Sequence, residues 1–279
     1  MVHRWRCRHC EFTVWAASRS KIVDAVQSHL LDHHRDQLSK EDFRIHWTCP
    51  YCDRVGQNHE QSVGVQRFQE HLFEHVEPLL EPGVHIADSV NGTGNILVRS
   101  PLHSAGANNA RVHFLAPGDI VLLVTTNPAE TITLLDEEIG EWPALTTILT
   151  TKEDPLADIS GIDVMNIPLE VVQLDRRLGL SDLGETISRV LQEQETTNGK
   201  ITVEFDILSE IIEKFDVQTV FKFLHVLTNR IKSADALSHF YVDPSRRSMS
   251  TINVLDQLFD LSITAHEHTF VADNTGVNE

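Results

Sequence analysis

Apolar positions along the chain follow two rhythms. Beyond residue 94, short apolar runs recur at 95–98, 120–125, 146–149, 170–174, 201–205 and 238–242. They are brief and mostly rich in β-branched residues, which predicts strands. Between them, residues 129–139, 182–192, 208–215, 217–232 and 250–259 carry apolar residues at helical spacing. This alternation predicts an α/β domain with a mainly parallel sheet covered by helices on both faces. Before residue 80 the pattern is shorter. Ile22, Val26 and Leu30, then Val65, Phe68, Leu72 and Val76, mark two helices with Ser20 and Ser62 as N-caps.

Those helices belong to a repeat. Two Cys-x-x-Cys pairs, Cys7/Cys10 and Cys49/Cys52, are each followed after 18 residues by a His-x-x-x-His pair, His29/His33 and His71/His75. A shift of 42 residues superposes every ligand position and also matches Trp5 with Trp47, Val26 with Phe68 and Leu30 with Leu72. Such agreement in one register marks an internal duplication. A Cys-x-x-Cys turn brings two thiolates together, and two His four apart on a helix share one face, so each repeat closes a tetrahedral shell suited to zinc. Two zinc ions per chain are expected, each supplying stability that a module of about 40 residues cannot build from its core. His34 is an alternative to His33, which the register favours. His9, His46 and His59 fall outside the register.

Composition divides at the same place. The 279-residue chain is 41% hydrophobic with a formal net charge of −18, yet residues 1–80 hold 10 Lys+Arg against 11 Asp+Glu. Nine of the 16 His and all four Cys also lie there. The expected organisation is zinc finger 1 at 1–38, zinc finger 2 at 39–80, a linker at 81–94, the α/β domain at 95–271 and a tail at 272–279. No apolar run approaches the roughly 18 residues of a membrane span, and Met1 to Arg6 hold no signal region, so a cytoplasmic protein is expected. Arg4, Arg6, Arg8, Arg19 and Lys21, interleaved with Trp5, Phe12 and Trp15, make the first 21 residues net +4. That stretch suits phosphate contacts and base stacking. It equally suits a solvated basic face over tryptophans packed on the metal sites.

The ligand pattern resembles the two-Cys/two-His zinc fingers. Its gap between ligand pairs is longer than the twelve or so residues of the common nucleic-acid-reading finger, so the base-reading positions do not carry over. What the resemblance implies is a zinc-held Cys turn packed on a helix.

The α/β half offers little catalytic chemistry. After its first strand the chain runs from Arg99 through Gly106 to Arg111 with one Gly and no Lys. A nest at Gly106 would hold an anion, but nucleotide hydrolysis is not expected without the Lys. Asp206 ends the strand 201–205 and reads either as the N-cap of the next helix or as a magnesium-holding acid. His225 lies on an apolar helix, and His266, Glu267 and His268 read as an edge-strand face. Val121 to Asn127, Leu180 to Gly184, Phe205-Asp206 and the helix from Thr219 to Thr228 resemble a haloarchaeal family of divergent domains similar to RecA and KaiC. The resemblance spans about residues 90–271. It implies a pseudo-ATPase fold used for regulation, in a chain adapted to high salt.

Together these readings point to a non-enzymatic zinc-binding regulator that binds DNA through its fingers, with a sensing or self-associating α/β domain. The alternative is an adaptor whose fingers dock a protein partner. Residual nucleotide binding through Asp206 and Gly106 ranks below both.

Overall fold

The computed structural model describes residues 2–33, 38–159, 161–246 and 249–272, apart from the side chains of residues 31 and 32. The chain divides into two compact units, one of residues 1–86 with 268–279 and one of residues 87–267. Among the described residues, no helix is long and apolar enough to cross a membrane.

The first unit is the duplication in three dimensions. In the first repeat, strands β1 (His3–Arg6) and β2 (Thr13–Ala16) precede helix α1 (Arg19–His33). After β3 (Leu38–Glu41), the second repeat has β4 (Arg44–Thr48), β5 (Val55–Asn58) and helix α2 (Gln61–Glu74). The 42-residue shift extends to strand register: Trp5 pairs with Val14 and Arg6 with Thr13, as Trp47 pairs with Gly56 and Thr48 with Val55. Both helices start one residue before the expected caps. Ser20 and Ser62 therefore lie in the first turn, with Glu60 at the N-cap of α2 and the Ser62 hydroxyl donating to it. Two short strands, β6 (Glu81–Pro82) and, far along the chain, Phe270–Ala272, flank β1 and β2 antiparallel. Trp5, Phe12, Val26 and Leu30 share one buried core with Trp47, Phe68 and Leu72, so the two repeats form a single folded body. The expected tail lies, from residue 273 onward, outside the described residues.

The second unit is the expected α/β fold. Its strands are β7 (Gly94–Arg99), β8 (Ile120–Val124), β9 (Leu145–Thr150), β10 (Leu169–Gln173), β11 (Ile201–Phe205), β12 (Leu237–Val242) and β13 (Leu261–Ala265). They form a parallel sheet in the order β10-β9-β8-β11-β12-β7-β13. Every residue of β8 and β11 is buried, as a sheet covered on both faces requires.

Helices α3 (Ala105–His113) and α4 (Pro128–Glu138) precede α5 (Leu180–Gln194), α6 (Leu208–Lys214), α7 (Val217–Ser233) and α8 (Met249–Asp256). The larger core joins Leu122, Val124 and Phe205 to α5, α6, α7 and α8, while Val121, Leu123 and Ile148 pack on Ile132 and Leu135 of α4. Along α7 the buried residues Val220, Leu224, Leu227 and Ile231 recur at helical spacing, each burial stabilising by about 1.5–3 kcal/mol. The Asp216 carboxylate caps this helix by accepting from the Thr219 backbone N–H at 3.0 Å.

Helix α3 corrects the sequence reading. Residues 105–111 are helical rather than loop, and Gly106 lies in the first turn instead of forming an anion nest. A Cβ there would stand 2.4 Å from the Ala265 carbonyl oxygen. The glycine is thus required by close helix–strand approach.

Candidate metal centres

Four donor atoms of the second repeat converge. Cys49 follows β4, Cys52 precedes β5, His71 lies on α2 and His75 caps its C-terminus. The turn closes through a hydrogen bond from Cys49 N–H to Arg54 C=O at 2.9 Å, and the Tyr51 N–H donates to the Cys49 sulfur at 3.4 Å. Cys49 Sγ lies 3.4 Å from His75 Nε2, Cys52 Sγ lies 3.3 Å from His71 Nε2, and the two Nε2 atoms are 3.4 Å apart. A tetrahedron built from zinc bonds of about 2.0–2.3 Å has donor separations of about 3.3–3.7 Å, so the residues fit a zinc ion.

The surroundings suit a metal too. Glu74 lies 3.0 Å from His71 Nδ1, the atom left over when Nε2 faces the centre, and thereby fixes the ring's orientation. Burial and the neighbouring His71 lower the His75 pKa, favouring the neutral imidazole that ligation needs. Burial raises the Cys49 pKa, a cost that a zinc ion would offset by binding the thiolate.

The first repeat builds the same site with a difference. Cys7, Cys10 and His29 bring one donor atom each within 4.8 Å of one another, with Cys10 Sγ and His29 Nε2 3.3 Å apart. The Cys7 N–H donates to Phe12 C=O at 2.9 Å, the counterpart of the Cys49 turn. Phe12 stacks on the His29 ring at 3.8 Å, and Trp5 stands edge-on to it, as Trp47 lies against His71. His33, the expected fourth ligand, stacks on His29 at 5.0 Å and is exposed, outside the three converging donors. The alternative, His34, lies outside the described residues. Zinc itself fits both donor sets by chemistry: two thiolates with imidazole.

Arg4 pairs with Glu81, and Arg19 with Glu77 at 3.0 Å. Arg6, Arg8 and Lys21 are exposed. The interleaved aromatics are not available for stacking, because Trp5, Phe12 and Trp15 are all buried.

At the strand ends of the α/β unit lies a group of which sequence reasoning singled out only Asp206. Arg111 of α3 donates from Nε to Glu204 Oε1 at 2.8 Å, lies 3.7 Å from Asp206, and covers the Tyr241 ring at 4.6 Å. Glu204 and His239 are register partners on β11 and β12, and His239 Nδ1 is 3.0 Å from the Tyr241 hydroxyl. Burial and Glu204 push the Asp206 carboxyl up to about 7, while burial takes His239 down to about 3. Asp206 caps no helix: Ile207 is the N-cap of α6, and the Asp206 carboxylate accepts from the Thr125 hydroxyl at 2.7 Å. A glutamate inside a short, largely apolar strand was the available signal, since a buried carboxylate demands a cation.

A family model described as "Family of unknown function (DUF7504)" matches residues 93–265, more than half of the chain. The chain belongs to this family. The DUF7504 match covers the parallel sheet and all six of its helices. No curated protein matches the sequence. Similar solved structures include the PH0250 protein from Pyrococcus horikoshii OT3, at 12% identity over 63% of this chain and 83% of that one, with a TM-score of 0.41. Another is the uncharacterised PH0321 protein of Pyrococcus horikoshii, in complex with an unknown peptide, at 11% identity over 61% and 76% and a TM-score of 0.45. The flagellar accessory protein FlaH from Methanocaldococcus jannaschii is similar at 13% identity over 61% and 70%, with a TM-score of 0.36.

The remaining histidines singled out in the sequence lie at the surface. His225, expected in the core or at an interface rather than as a base, is exposed on α7 and stacks on Phe221, which excludes the core. His266, Glu267 and His268 are exposed between the last two strands, outside both, rather than on an edge-strand face.

Proposed function

We propose that this chain is a non-enzymatic, zinc-stabilised regulatory protein whose duplicated N-terminal unit docks a protein partner, with the DUF7504 unit as a pseudo-ATPase scaffold for sensing or association. The observation that carries the docking reading is the state of the basic stretch: its aromatics are buried, and Arg4 and Arg19 pair with Glu81 and Glu77 of the same unit. A phosphate-tracking surface needs free cations and open ring faces.

Absence of catalysis is supported by Arg111. Where a nucleotide hydrolase would direct acids toward magnesium, the guanidinium lies against Glu204 and Asp206 and neutralises them from within.

DNA is the second reading, favoured by the exposed Arg6 and Arg8 around β1 and by Lys21 on α1. A photo-crosslinking residue placed at Arg8 of the full chain separates the two in cells. A protease-sensitive, nuclease-resistant adduct is expected. A nuclease-sensitive adduct would move the assignment to DNA.

A further inference from the structure

The two metal centres touch through one residue. Tyr51 is the counterpart of His9 under the 42-residue shift, and their rings meet edge to face at 5.0 Å. The Tyr51 hydroxyl lies 3.3 Å from the sulfur of Cys7, a ligand of the first centre. Its ring packs on His75, a ligand of the second, at 5.6 Å and 28°. Its backbone N–H donates to Cys49 Sγ. Both repeats share one core, so these contacts are made within a single folded body.

We propose that Tyr51 couples the two centres, its hydroxyl holding the Cys7 sulfur of the first while its ring rests on His75 of the second. This rests on the reading that zinc occupies both donor sets. A zinc-bound thiolate only accepts hydrogen bonds, so the hydroxyl donates to a charged sulfur and favours the ligated form. Metal at the second centre orders the 49–52 turn and His75, and with them Tyr51. The first centre then binds into a prepared shell, and by linkage the benefit is mutual. Tyr51 acts here as a positioning residue.

The test uses the full chain in a double-mutant cycle. Zinc affinities come from chelator competition, and cobalt absorption reports the thiolate ligands of each centre. Cys52→Ser disables the second centre and should lower first-centre affinity about tenfold. Tyr51→Phe keeps the ring, and should lower first-centre affinity to a similar extent while abolishing the further effect of Cys52→Ser. Unchanged affinity in Tyr51→Phe, or fully additive losses, would overturn the coupling while leaving the zinc assignment intact. A parent chain that binds no zinc would instead sink the reading beneath it. Site-specific 3-fluorotyrosine at 51 provides a variant of native shape. A stronger donor should raise first-centre affinity, and no change would count against the proposal.

Discussion

Arg111 and Glu204 form a buried ion pair, 2.8 Å from Nε to Oε1, with the Glu204 side chain wholly sealed from water. Burial works to lower the Arg111 pKa, but Glu204, Tyr241 and Asp206 outweigh it and hold the guanidinium charged. Removing one partner strands the other. Glu204→Ala should cost about 3–5 kcal/mol in urea unfolding of the α/β unit, whereas replacing both residues together with apolar ones of similar volume should recover most of it. A loss below about 1 kcal/mol for the single variant would mean that the charges find other partners.

The same cluster sets a pH response with two opposed slopes. Asp206 rises from 3.8 to about 7, so its contribution to stability is present below pH 4 and is lost as pH climbs through 7. His239 falls from 6.5 to about 3, so its contribution is present above pH 6.5 and is lost on acidification toward 3. Between pH 4 and 6.5 the two oppose each other. Asp206→Asn leaves only the histidine slope, and this variant should lose about 3 kcal/mol relative to the parent when taken from pH 6.5 to pH 4. Denaturation midpoints that run parallel with pH in both chains would contradict this.

Two glycines are set by close approach. A Cβ on Gly56 would stand 2.1 Å from the Trp47 ring, and one on Gly106 would meet the Ala265 carbonyl. Each Gly→Ala change should destabilise its own unit by about 1–3 kcal/mol. Thermal unfolding should show the loss in the metal-dependent transition for Gly56→Ala and in the other transition for Gly106→Ala. A shift in the opposite transition would mean that these units do not unfold separately.

The contrast between what was and was not legible in the sequence has physical causes. Strands β7, β8, β9, β11 and β12 are buried and largely apolar runs, so their pattern announces them, and β11 matches its expected bounds. Helix α3 was hidden because Gly106, Ala107 and Ala110 pack by smallness and leave no apolar stripe. The strands of the two repeats are four or five residues long, too short for alternation to register. Ligand identity was readable because coordination fixes spacing. The burial of Trp5 and Trp15 and the pairing of Arg4 with Glu81 were not, since both depend on which sequence-distant elements meet.

Zinc content measured together with folding tests the central claim most directly. Native mass spectrometry of the full chain should find two zinc ions, and chelation should unfold residues 1–86, read by hydrogen exchange, while the DUF7504 unit stays protected. A metal-free chain whose N-terminal unit remains protected would contradict the account.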